Sequence, residues 1–225
     1  MDLQSLWAAF ISTATSAQPG ALLTRWAFPV FWGVVLVFAA LLVTGSLAKP
    51  RGKWIAAVVA VWVFLPGGWS PTYWLGLAFQ MPSLMAVVLC TDALTARFGR
   101  SRLADAQGDP SSDSPVLLLG SSVVHWSGIL LGLVLLLDTF LVFPFSLYRW
   151  GHSTAMLAFV AGVAITFWFW GRAGRAGLVF LVLALFVTTR LTTGNVFDAL
   201  IDPWLWLALV VGAVLNWRAR RRLRA

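Results

Sequence analysis

Seven apolar stretches run through this chain, and its basic residues gather at alternate interruptions between them. Stretches near the length of a bilayer crossing, with Lys and Arg concentrated on one side, mark a polytopic membrane protein. The spacing predicts spans over 26–47, from 54 to a break at Pro66-Gly67-Gly68, and over 73–94 with a kink at Pro82. Four more follow within 116–147 and over 154–170, 176–192 and 196–217. Basic clusters lie at 49–53, 97–102, 172–175 and 218–224. All four share one face of the membrane when the N-terminus is outside and the C-terminus is cytoplasmic.

The expected fold is therefore all-α, a transmembrane helical bundle of about seven spans forming a single membrane domain. Residues 1–25 read as an interfacial segment, because Leu3, Leu6, Trp7, Phe10 and Ile11 repeat at helical spacing. Spans one to three occupy 26–96, a polar cytoplasmic loop 97–115, spans four to seven 116–217, and a basic tail 218–225. Reading 54–94 as a re-entrant hairpin keeps the basic clusters in place and reduces the crossings to five.

Composition supports lipid as the solvent. Apolar residues make up 60% of the 225 positions and charged residues only 11%, against about a quarter charged in a soluble domain. The net charge of +8 reads as topology and contact with anionic lipid headgroups at the tail, not as nucleic-acid binding. The Arg and Ala bias suggests a GC-rich bacterial source, hence the bacterial cytoplasmic membrane. Trp26, Trp54, Trp69, Trp74, Trp126, Trp150, Trp170, Trp204 and Trp217 fall near predicted span ends, where indole is favoured. Trp32 and Trp62 lie deeper and read as packing residues. Gly128 and Gly132, and Ala158 with Gly162, have the spacing of close helix contacts.

Few residues carry chemistry. Asp138 interrupts an apolar run, and an ionisable group in hydrocarbon needs a partner. Counting at 1.5 Å per residue puts Asp138, from a start near Val124, and Arg190, from Ala176, each about 21 Å from the cytoplasmic boundary. An Asp138–Arg190 pair is the expectation, either functional or serving only to fix helix packing. Arg149, His152, Asp198 and Asp202 join it in a candidate polar site in the outer half of the bilayer. Asp198 and Asp202 share a helix face, and Pro203 after Asp202 suggests a helix N-cap there.

The remaining inventory argues against several chemistries. His125 and His152 are expected at opposite membrane faces, which disfavours a bis-His haem. Cys90 has no activating neighbour in sequence, and Lys49 and Lys53 sit in a loop. No catalytic residue, metal site or cofactor is expected. The leading reading is a membrane subunit or assembly factor of a larger complex, with a protein partner or homo-oligomer compatible with it. The alternatives are a small ion or solute transporter using the Asp138–Arg190 site, and an intramembrane enzyme or cofactor carrier.

Overall fold

A computed structural model of the chain describes residues 4, 19–46, 49, 51–107, 122–142, 144–170 and 173–222. Of the expected interfacial segment 1–25 only 4 and 19–25 are described, and a helix already begins at Ala21; of the expected loop 97–115 only 97–107 are described, and they continue a helix; residues 108–115 and 223–225 lie outside the described residues. The described residues are all-α. Helix α1 spans Ala21–Val43, α2 Arg51–Val63, α3 Pro71–Ala78, α4 Leu84–Gln107 and α5 Ser122–Thr139. Helix α6 spans Leu147–Trp150, α7 Thr154–Phe169, α8 Ala173–Thr189, α9 Val196–Leu200 and α10 Pro203–Arg222. Among these, α1 alone is long and apolar enough to cross a membrane by itself. Shorter apolar helices cover Leu84–Ala96, His125–Thr139, Thr154–Phe169 and Ala176–Thr189.

Polar side chains at the helix starts explain most of the boundaries. Ser70 precedes Pro71 and accepts from Thr72 N at 3.2 Å. Ser83 Oγ accepts from Ala86 N, and Ser153 Oγ from Met156 N. Such caps satisfy backbone donors that a helix start leaves unpaired. At the other end of α1, Ser46 N donates to Leu41 O and Gly45 N to Leu42 O, with Gly45 at φ 58°. Glycine suits that left-handed stop. Helix α5 ends the same way: Val142 N donates to Leu137 O, Leu141 N to Asp138 O, and Leu141 takes φ 55°.

The path through 51–84 differs from the expected two spans meeting at the Pro-Gly-Gly break. Gly52 abuts Leu41 and Ser46, Val63 approaches Gly33, and Gly76 meets Phe28. Ala27 then clusters with Met81 and Leu84. The contact point moves steadily along α1 in one direction, so α2 and α3 form one broken run past it. The chain reverses at 79–83. The break does not reverse it, because Ser70 Oγ and Thr72 Oγ1 both return to Val63 O. That bridge restarts the helix where α2 stopped.

Helix α5 packs antiparallel on α10: His125 faces Gly212, Gly128 faces Leu209 and Gly132 faces Trp206. Trp206 Nε1 donates to Ile129 O at 3.0 Å. A Cβ added at Gly162, by contrast, would meet nothing within 4 Å, so among the described residues no other helix comes close at that glycine. The core gathers Ala27, Leu84, Val182, Phe186, Val196 and Ala199. Trp32 belongs to the buried set and meets Trp204 edge-on at 6.2 Å. Trp62 is half exposed and donates from Nε1 to Trp69 O at 2.8 Å.

Candidate functional site

The polar residues gather where α5 ends, α7 begins and α10 begins. Asp138 is 6% exposed. Its Oδ1 accepts from Leu147 N at 3.0 Å, and its Oδ2 from Tyr148 N at 2.8 Å and Ser146 Oγ at 3.3 Å. It therefore caps the turn that begins α6. Two backbone amides and a hydroxyl supply what a buried carboxylate requires.

The expected Asp138–Arg190 pair is not formed. Arg190 instead lies over the Phe186 ring, with Cζ 5.4 Å from its centroid. Similar depth did not make them neighbours, because α5 packs on α10 and α6 whereas α8 packs on α7, α4 and α9. Arg149 stands exposed at the surface.

Asn195, fully buried, joins the two polar turns. Its Nδ2 donates to Tyr148 O at 2.9 Å and lies 3.3 Å from His152 Nε2, while Oδ1 accepts from Phe197 N and caps α9. Val196 N donates to Gly151 O at 2.9 Å. A side chain at Gly151 would run into the Asn195 amide. His152 packs edge-on against Tyr148 at 5.9 Å.

Asp198 Oδ2 accepts from Tyr148 Oη at 2.6 Å and from Thr193 Oγ1. Burial first, and then the Asp198 carboxylate, push the Tyr148 phenol up to about 12. Asp202 performs two tasks: Oδ1 accepts from Leu205 N at 2.6 Å and caps α10, while Oδ2 accepts from Ser83 N at 2.5 Å. One carboxylate thus ties the starts of α4 and α10.

A pocket of about 350 Å³ opens beside these groups, lined by Phe79, Gln80, Tyr148, Asp198, Asp202 and Trp204 among others. Of the candidate residues it draws together Asp198 and Asp202 and adds Tyr148. Asp138, Arg149, His152 and Arg190 do not line it. Among the described residues, no group of three or more His, Cys, Asp or Glu could hold a metal ion.

Sequence reasoning missed the Ser83–Asp202 tie, which joins positions 119 residues apart. The available signal was a serine after Pro82 at a helix start. It also missed Gly151, whose need for a bare backbone shows only once Asn195 is in place. His125 and His152 fall at opposite ends of the bundle, one facing Gly212 on α10 and the other beside Asn195. Comparison with protein-family models, curated proteins and solved structures returns no match.

Proposed function

We propose that this chain is a seven-crossing integral membrane protein, serving as a subunit or accessory factor of a larger membrane complex in the bacterial cytoplasmic membrane. Six crossings are single helices, α1, α4, α5, α7, α8 and α10; α2 and α3 together make the seventh. The basic clusters then fall at one end of the bundle and the Asp202 cluster at the other, as cytoplasmic and outer faces. Exposed Trp54, Val58, Val61, Phe159, Phe169 and Leu207 suit lipid or partner contact.

The observation that carries the accessory role is the use made of the carboxylates. Asp138 and Asp202 each hold helix starts, and Asp198 holds Tyr148 and Thr193. Such groups hold an architecture together and leave little for turnover. The pocket beside Asp198 favours a second reading, passage of a small cation or solute.

Purification from native membranes in mild detergent separates the two. The accessory reading expects a second protein in fixed stoichiometry. Recovery of the chain alone, with solute flux in liposomes that Asp198→Asn abolishes at unchanged Tm, would establish transport instead.

A further inference from the structure

Helices α4, α5, α7, α8, α9 and α10 enclose a second cavity, of about 340 Å³, whose wall is almost entirely apolar. His125 lines it at the α5 side. The imidazole is 5% exposed, and among the described residues neither Nδ1 nor Nε2 has a hydrogen-bond partner. A neutral imidazole always presents one N–H donor and one acceptor nitrogen. Burying both idle is unfavourable, and a leucine at this position would avoid the penalty. A partner from outside the chain resolves the conflict.

The surroundings specify its chemistry. Phe159, Phe167 and Phe197 line the cavity and offer ring surfaces for a flat apolar molecule. Met85 and Met156 add adaptable thioethers. The volume lies at the lower end for small-molecule sites, enough for one substituted ring. Phe159, 66% exposed, marks the mouth on the flank of the bundle. On the membrane reading proposed above, on which this inference rests, that flank faces lipid.

We propose that this cavity binds the ring of a membrane-soluble quinone, with the His125 imidazole, whose nitrogens are both shielded in this structure, turning to donate a hydrogen bond to a ring carbonyl. The three rings supply stacking, the imidazole supplies the polar contact, and the lateral mouth lets an isoprenoid tail remain in the bilayer. Binding alone is assigned; no electron transfer is implied.

The test uses full-length protein in lipid nanodiscs, titrated with a 1,4-benzoquinone carrying a ten-carbon alkyl chain and read by tryptophan fluorescence quenching. Saturable binding is expected. His125→Leu should weaken it about tenfold, the loss of one buried hydrogen bond, and His125→Gln should recover part of it through its amide N–H. Val160→Phe, which fills the cavity without altering His125, should abolish binding. Without ligand, His125→Leu should melt at or above the wild-type temperature; at equal quinone concentration the Tm of wild type should rise more than that of His125→Leu.

Equal binding by wild type and His125→Leu, or by an alkylbenzene lacking both oxygens, would overturn the assignment. So would the absence of saturable binding, or a haem absorption band in the native preparation. Extraction behaviour keeps the two readings separate. A membrane-bound chain that ignores the quinone refutes only the ligand, whereas a chain recovered without detergent refutes the membrane reading itself.

Discussion

Asp138 shows what a buried carboxylate demands. Removing it strands the amides of Leu147 and Tyr148. Asp138→Ala should destabilise the protein by about 2 kcal/mol, a lost cap together with buried unpaired donors. Asn retains one acceptor, so Asp138→Asn should cost less. Arg190→Gln should add independently, with the double variant within about 0.5 kcal/mol of the sum. Chemical unfolding in detergent reads all of these, and a larger coupling would reinstate the ion pair. Tyr148 offers a pH-dependent counterpart. Its folded pKa is raised, so the phenol's contribution is complete below about pH 10, the ordinary phenol value. It is lost as pH climbs towards about 12. In a Tyr73→Phe background, ultraviolet titration should give a midpoint near 12, falling in Asp198→Asn. An unchanged midpoint would sever Tyr148 from Asp198. Sequence established that Asp138 needed a partner, because charge in an apolar run always does. It could not name the partner: residue counting gives depth along a helix, whereas the neighbour depends on how α5 and α8 are arranged around the bundle.

Helix ends carry the next level of organisation. Because Asp202 serves both α4 and α10, Asp202→Ala should cost roughly twice an ordinary cap, about 2 kcal/mol, with loss of helical signal at lower temperature. A loss no greater than that of Ser153→Ala would show that the Ser83 contact contributes nothing. Leu141 occupies a left-handed position that opposes a side chain by about 1 kcal/mol. Leu141→Gly should therefore stabilise the protein by up to that amount; a drop in Tm would contradict the strain. Gly132→Leu must displace Trp206 and should destabilise by about 1–3 kcal/mol. Gly162→Leu, facing open space, should change Tm little. The helix interruptions were legible because Pro, Gly and Ser leave plain local marks. The direction after each interruption was not, since Pro66-Gly67-Gly68 ends a helix without saying where the next one points. Bonds from Ser70 and Thr72 back to Val63 decide that, and they exist only in three dimensions.

At the scale of the molecule, the alternation of basic clusters carries most of the information. It depends only on which interruptions hold the basic residues and survives errors of several residues in each boundary. On the proposed membrane reading the all-α class follows from the same pattern, because continuous apolar stretches near 20 residues suit helical crossings and not the short alternating strands of a barrel. The quinone-sized cavity was hidden, because it is assembled from six helices and His125 looks unremarkable within an apolar run. Seven crossings with the Asp202 end outside make a sharp prediction about which loops water reaches from each side. Its most direct test is single-cysteine labelling in a Cys90→Ser background, with an impermeant maleimide applied to intact cells. Cysteines replacing Gln80 and Arg149 should label at once, and those replacing Lys49 and Arg221 only after permeabilisation. Labelling of position 80 together with 49 would make 54–94 a re-entrant hairpin and leave five crossings; equal labelling at all four positions would remove the membrane topology altogether.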